Sequence, residues 1–381
     1  MSAPLVIIGS GLGGYMLAKE FRRLDKETPL TIITEDDGAF YSKPLLSTAL
    51  TQQKTAEALV MNTAEAMAEQ LNARVLTHTT VQAIQLESNH IATRQGDIPY
   101  GRLVLALGAE KISAPLQGDG VDEVVSVNNL MEYATFRQWL QGKRSIVMLG
   151  AGLVGCEFSN DLLNAGLQLH CVALEAEPLM KWVPVAIGRQ LRLALAERGV
   201  QWHLQRMAQQ VERVGNQFRV VLDDGSNIIA DGVFAAIGLR SRTQLAKQSG
   251  LVVNRGIVVD EFCRSSHADV YALGDCAERD GQVLMYVAPL LQSAKALAAT
   301  LAGTPTAVEY PPMPIVIKTP ACPLATIPPS SDSGAWQLEG EAPHLVAGYY
   351  EERQLMGFAL SGDKVRERAQ YVKQLTSKLP H

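Results

Sequence analysis

The sequence predicts an α/β protein: two three-layer α/β units, the second inserted into the first, followed by a small α+β domain. Three observations lead there. A pattern of short apolar run, glycine-rich turn and helix occurs twice, opening at Leu5 and again at Ile146. Candidate return strands for the first unit lie on both sides of the second, at residues 103–108 and 270–273. A proline-rich stretch, Pro311 to Pro314, then opens a segment with mixed alternating patches and no glycine turn.

Taken in order, Leu5-Val-Ile-Ile8 is rich in β-branched residues and reads as a buried parallel strand. It runs into Gly9-Ser-Gly11-Leu-Gly-Gly14 and a helical stretch over residues 15–24. A second strand over 30–34 ends at two acids, Glu35 and Asp36. Short strands are expected at 75–78, 80–86 and 90–93, and 103–108 returns to the first sheet. The pattern then repeats. Ile146-Val-Met-Leu149 leads into Gly150-Ala-Gly152-Leu-Val-Gly155, a helix over 156–164, and a strand over 169–174 before Glu175. Asp223-Asp-Gly225 sits between 218–222 and 227–229 as a hairpin turn, and 233–237 is the return strand of this unit. Residues 270–273 rejoin the first sheet, ahead of an apolar helix over 290–301. The boundaries follow: 1–110 with 238–310, then 111–237 inserted, then 311–381.

Each Gly-x-Gly-x-x-Gly stands in the strand–turn–helix setting that a dinucleotide requires, so both units are Rossmann-like. Gly9 permits the tight turn, Gly11 lets the backbone approach a diphosphate, and Gly14 allows the helix to pack against the strand. Ser10 and Leu12 belong to the same turn. Free N–H groups and the dipole at the helix start favour the anion. Gly150, Gly152 and Gly155 repeat these roles. A carboxylate at the end of the second strand accepts from adenosine ribose hydroxyls. Glu175 fills that place in the second unit; in the first, Glu35 and Asp36 compete and spacing does not separate them.

Composition narrows the function classes. The chain has 381 residues, 47% of them hydrophobic, and a net charge of −5 with no basic stripe, which argues against nucleic acid. No apolar run approaches the roughly 20 residues that span a bilayer, and the first eight residues lack the basic start of a signal peptide. A cytoplasmic protein is expected. Five scattered cysteines form no Cys-x-x-Cys pair and no zinc or iron–sulfur spacing, so no metal is expected. The seven histidines show no catalytic pattern.

The order of these motifs resembles the pyridine-nucleotide–disulfide oxidoreductase superfamily, up to about residue 310. The resemblance implies FAD on the N-terminal unit and NAD(P)H on the inserted one, where Glu175 points to NADH. Val270-Tyr-Ala-Leu-Gly274-Asp275 is similar to the family's second FAD motif, whose Asp bonds a ribityl hydroxyl. The stretch 103–108 resembles an Ala-Thr-Gly segment with Leu107 in place of Thr. Gly238-Leu-Arg240-Ser-Arg-Thr243 resembles a turn of the family with Ser241 in place of Pro, and it puts Gly238 with NAD. Where thiol-relay members carry cysteine, this chain has Phe40-Tyr-Ser-Lys43-Pro-Leu-Leu-Ser47, so electrons are expected to leave the flavin directly. Together with Val316-Ile-Lys318-Thr-Pro-Ala-Cys-Pro323, that stretch looks most like the rubredoxin–NAD reductases, with flavorubredoxin reductases as close relatives.

The resemblance also implies residue roles. Lys43 pairs with Glu157 near flavin N5, and Lys318 reaches the flavin from the last domain. Main-chain contacts fall at Val81, against adenine, and at Val287, which precedes a helix facing the flavin pyrimidine. The expected reaction passes electrons from NADH through FAD, one at a time, to rubredoxin or a similar small iron carrier. The alternatives are a reductase of flavorubredoxin or a ferredoxin, or a redox-sensing flavoprotein with little turnover. The short final segment leaves less room for the large dimer interface of the disulfide reductases, so a monomer is expected.

Overall fold

A computed structural model describes residues 4–375; the expected domain ends at 1–3 and 376–381 lie outside the described residues. The chain forms two compact units. One holds residues up to 42 with 58–110 and 239–310; the other holds 43–57, 111–238 and the chain from 311 onward.

The first unit is built on five parallel strands in the order Val270–Ala272, Arg102–Leu105, Leu5–Ile8, Leu30–Ile33, Arg74–Leu76. Successive strand residues face opposite sides. Leu5, Ile7, Ile32 and Val104 therefore enter one core, with Tyr15, Leu17 and Phe21 of helix Leu12–Leu24 and Leu297 of helix Val287–Leu301. Val6, Ile8, Ile33, Leu103 and Leu105 enter a second core with Ile84 and Ile91. Those two come from an antiparallel sheet of Val81–Gln85, His90–Thr93 and Gly96–Pro99. The layers are thus helix, parallel sheet and antiparallel sheet, and burial of both faces explains the unbroken apolar runs.

Several expected bounds shift. The strand expected at 75–78 is Arg74–Leu76, the edge of the parallel sheet, and Gly96–Pro99 was not foreseen. The last helix of this unit begins at Val287, so Val287 lies inside its first turn and does not precede it. Pro289 does not delay the start, because N–H groups in a first turn have no intrahelical partner to lose.

The second unit repeats the plan with four parallel strands, Val200–Leu204, Gln168–Ala173, Ser145–Leu149 and Gly232–Ala235. The antiparallel strands Ala208–Val214, Gln217–Leu222 and Asn227–Ala230 bury Val211, Val220 and Ile228 against Val147, Val172 and Val233. The expected hairpin is present, with Gly225 N–H donating to Leu222 O at 3.0 Å. Elsewhere the rings of Phe136, Phe158 and Phe234 pack edge-on or tilted, with centroids 4.9–5.8 Å apart. Also in this unit is a five-stranded antiparallel sheet in the order Ile315–Ile317, Leu324–Ile327, Gln354–Ser361, His344–Glu351, Ala335–Glu341. Tyr371 and Val372 of helix Arg368–Gln374 pack on Ile327 and Phe358. No helix among the described residues is long and apolar enough to cross a membrane.

On the neighbouring strands Gln168–Ala173 and Val200–Leu204, His170 Nδ1 and His203 Nε2 stand 3.3 Å apart. Burial lowers both pKa values; His203 adds to the effect on His170, while Asp224 works against it at His203. With depressed folded values, the unfolded chain takes up protons first as pH falls. The pair's contribution to stability is full above about pH 6.5, declines below it, and is gone once the folded values are passed. Thermal unfolding between pH 7.5 and 5, on an approximate scale set by the ordinary histidine pKa, should show this decline, and His170→Gln should make it shallower. An identical pH slope in the variant would remove the pair from that role.

Candidate dinucleotide sites and a buried ion-pair cluster

In the first glycine turn, two residues are committed to packing and one is open. Gly9 has φ +114°, and a Cβ there would lie 2.2 Å from Ala106 O. A Cβ on Gly14 would lie 1.9 Å from Gly9 O, whereas one on Gly11 would meet nothing within 4 Å. Gly11 is the N-cap of helix Leu12–Leu24, whose first turn has no side-chain cap and no acid. Free N–H groups thus face open space, the arrangement a diphosphate requires. The second turn is the same device. A Cβ on Gly150 would lie 2.6 Å from Ala236 O and one on Gly155 2.3 Å from Gly150 O, while Gly152, the uncapped start of helix Leu153–Asn164, is open.

The structure separates the two acids of the first unit. Asp36 Oδ1 accepts from Thr34 Oγ1 at 2.6 Å, Gly38 N at 3.0 Å and Ser10 Oγ at 3.3 Å, so it braces the turn. Ser10 itself is buried and also donates to Thr34 Oγ1 at 2.9 Å. Glu35 is exposed and pairs with Arg242 Nη1 at 2.8 Å. Val81 opens the strand Val81–Gln85, and Asp275 lies in the 3-10 turn Gly274–Cys276, where its carbonyl accepts from Ser241 Oγ at 2.7 Å.

In the second unit the strand ends at Ala173, so Glu175 stands in the turn beyond it, its carbonyl accepting from Gln205 N at 3.2 Å. Buried Glu177 pairs with Arg192 at 2.7 Å and Arg189 at 3.4 Å. Gly238, at φ +128°, accepts from Ile112 N through its carbonyl at 3.1 Å.

Helix Leu153–Asn164 carries a second feature. Glu157, Asn160, Asp161 and Asn164 are spaced i, i+3, i+4, i+7 and so share one face. The first three are buried. Asp161 accepts from Leu50 N at 2.9 Å and Thr51 N at 2.8 Å, and Asn164 Nδ2 donates to Thr51 Oγ1 at 2.8 Å. Asn160 Oδ1 accepts from Ala321 N at 3.1 Å. Burial pushes the Asp161 carboxyl up, against the pull of its bonds to Thr51 and Leu50. Glu157 Oε2 lies 2.9 Å from Lys318 Nζ and accepts from Ser47 Oγ at 2.5 Å; its Oε1 accepts from Lys318 N at 3.0 Å. The helix thus pins two distant segments: the turn Lys43–Thr48 with the residues after it, and residues 318–321.

Glu157 and Lys318 are brought together, and Lys43 opens the turn that supplies Ser47. Sequence reasoning missed Ser47, Asn160, Asp161 and Arg242. One signal was available: polar residues at helical spacing within a helix that follows a buried strand. All five cysteines are free and buried. Burial pushes Cys171 and Cys263 up to about 12, Cys276 and Cys322 to about 11, and Cys156 well above its usual value. None is a ready thiolate at neutral pH.

Fold and turns define a two-site dinucleotide-binding α/β protein. Residues 3–298 match the profile of the pyridine nucleotide-disulphide oxidoreductases, and 307–375 match that of the rubredoxin binding C-terminal domain. The chain belongs to the pyridine nucleotide-disulphide oxidoreductase family. It is 46% identical to the rubredoxin-NAD(+) reductase of Alcanivorax borkumensis, over 99% of this chain and 100% of that protein. It is 35% identical to a nitric oxide reductase FlRd-NAD(+) reductase of Vibrio vulnificus, over 99% of both chains. A chain of the covalent putidaredoxin reductase-putidaredoxin complex has the same fold, with a TM-score of 0.90 at 24% identity over 100% of this chain and 94% of that one.

Proposed function

We propose that this protein passes electrons from NADH through bound FAD to rubredoxin, in the cytoplasm. The observation that carries the reading is the match of 307–375 to a rubredoxin binding domain, on a chain that also holds both nucleotide turns. FAD suits the first unit. The open face at Gly11 and the uncapped helix start at Leu12 take its diphosphate, and Glu35 takes its ribose. Asp275 serves its ribityl chain, and the main chain at Val81 and Val287 serves its rings. NADH suits the second unit, at Gly150, Gly152, Gly155, Glu175 and Gly238. By this reading residues 1–110 and 238–310 serve FAD, 111–237 serve NADH, and 311–381 serve the carrier.

Bound FAD supplies the step between a two-electron donor and a one-electron acceptor. The chain supplies position and charge. Lys43 and Lys318 hold positive charge for the flavin, which favours the charge gained on reduction. Glu157 orients Lys318 and offsets the cost of burying it. Flavorubredoxin is the second reading, favoured by the Vibrio vulnificus relative at its lower identity.

Purified protein should be yellow and reduce rubredoxin with NADH. Since burial holds the thiols protonated, Cys276→Ser and Cys322→Ser should keep FAD content and rubredoxin reduction within about twofold of the parent. A colourless, folded protein that cannot take up FAD would overturn the reading. Loss of rubredoxin reduction in one Cys variant, with flavin reduction intact, would overturn thiol-free electron exit.

A further inference from the structure

We propose that Ser47 is a positioning residue: its hydroxyl sets the direction in which the Lys318 ammonium points, by accepting from that ammonium and donating to Glu157. The proposal rests on the reading of Lys318 and Glu157 as flavin residues. It concerns a residue that touches neither nucleotide in that reading.

The bonding order follows from the groups themselves. Lys318 Nζ lies 3.0 Å from Ser47 Oγ, 2.9 Å from Glu157 Oε2, and bonds Pro44 O. An ammonium has three donors and no acceptor. Ser47 must accept from it, and the one hydroxyl proton is then free for Glu157 Oε2 at 2.5 Å. The alternative acceptor, Pro44 O, is farther from Ser47 Oγ, at 3.3 Å, and also accepts from Lys318. All three ammonium protons are thereby assigned. Glu157 alone would leave a four-carbon side chain with a single charged anchor, and such a side chain retains rotamer freedom. Acceptors on the turn Lys43–Thr48 convert that freedom into one direction.

The hydroxyl is itself held in place. Ser47 is buried, and the residues just after its turn are tied by Leu50 N and Thr51 N to the Asp161 carboxylate. Residue 321, three beyond Lys318, is tied to Asn160 on the same helix. The two segments are thus anchored separately, and Ser47 is the neutral link between their charged members.

The test compares holoprotein with Ser47→Ala and Ser47→Thr. Acetic anhydride modifies neutral amines, so the acetylation rate of Lys318, read by mass spectrometry, reports how firmly its ammonium is held. Loss of one bond to a charged group should raise that rate at least about threefold in Ser47→Ala. The reduction equilibrium of bound flavin should shift about threefold towards the oxidised form, with unchanged FAD content. Ser47→Thr keeps the hydroxyl and should restore both. Ser47→Cys, which gives up the strong acceptor at similar volume, should match Ser47→Ala in the acetylation arm and replaces it there should the alanine variant not fold. Parent-like acetylation in the Ala or Cys variant would overturn the proposal, as would a shift in the flavin equilibrium that Thr fails to restore. Faster acetylation without any flavin shift would leave Ser47 holding Lys318 and overturn the flavin role of the cluster.

Discussion

Alanine at Gly11 is expected to leave a folded protein that has lost most of its grip on FAD, whereas alanine at Gly14 is expected to break the unit that forms the site. The difference lies in what the added methyl group meets. At Gly11 it meets no protein atom within 4 Å, so the fold has nothing to resist and only a ligand in the turn is displaced. At Gly14 it would sit 1.9 Å from Gly9 O, a backbone atom of the turn just after strand Leu5–Ile8. Crowding a packed site costs about 1–3 kcal/mol, so FAD should bind about tenfold or more weakly to Gly11→Ala, with an unchanged unfolding temperature for the apoprotein. The matching change in the second unit, Gly152→Ala, should keep the yellow colour and raise KM for NADH by about tenfold or more. Titration of apoprotein with FAD and steady-state kinetics with NADH measure the two effects. Full FAD affinity in Gly11→Ala, or loss of flavin rather than NADH use in Gly152→Ala, would reverse the assignment of the sites.

NADH should be preferred over NADPH by at least about tenfold in kcat/KM, because a charge-assisted hydrogen bond is worth about 1.5–3 kcal/mol. Glu175 can accept from both ribose hydroxyls, and the 2′-phosphate of NADPH would remove one donor and face the carboxylate with like charge. A nearby guanidinium could compensate by gripping the phosphate. The arginines that follow in sequence are engaged elsewhere: Arg189 and Arg192 with Glu177, Arg198 with Asn164 Oδ1, and Arg206 with Asp224 at 2.6 Å. Lys181 is the first cation after Glu175 in the chain. Glu175→Ala should narrow the preference mainly by weakening NADH use. Equal efficiency with both nucleotides in the parent protein would show that Glu175 does not read the ribose.

Local pattern reached the strands that lead into and out of the two glycine turns, and the turns themselves, because each depends on neighbours in sequence; it did not reach Val200–Leu204, Ala208–Val214 or the strands of the last sheet. Leu5-Val-Ile-Ile8 could be read as a strand since every residue in it is buried, and Gly14 as a packing glycine since its clash partner is only five residues away. Gly96–Pro99 went unread because it carries a glycine and a proline at its ends and stays largely exposed, leaving almost no apolar alternation. How each acid is engaged needed the fold: Asp36 is held by Thr34, Gly38 and Ser10, 26 residues away, and Glu35 by Arg242. Ser47 was beyond reach for the same reason on a larger scale. Its two decisive partners are 110 and 271 residues distant, and nothing within its own turn marks its hydroxyl as different from that of Thr48.

Helix Leu153–Asn164 begins at the open glycine of the second nucleotide turn and, one turn further on, carries the acid that holds Ser47 and Lys318. An α-helix rises about 1.5 Å per residue and behaves as a rod over so short a span. Where Gly152 serves NADH, a shift of this helix on binding would link the nucleotide's binding free energy to the arrangement of residues 43–51. By whatever factor a seated nucleotide favours one arrangement of that loop, the same arrangement tightens the nucleotide by an equal factor. Variants that loosen the loop would then be read out at a distance, as weaker nucleotide binding, with every contact to the nucleotide left in place.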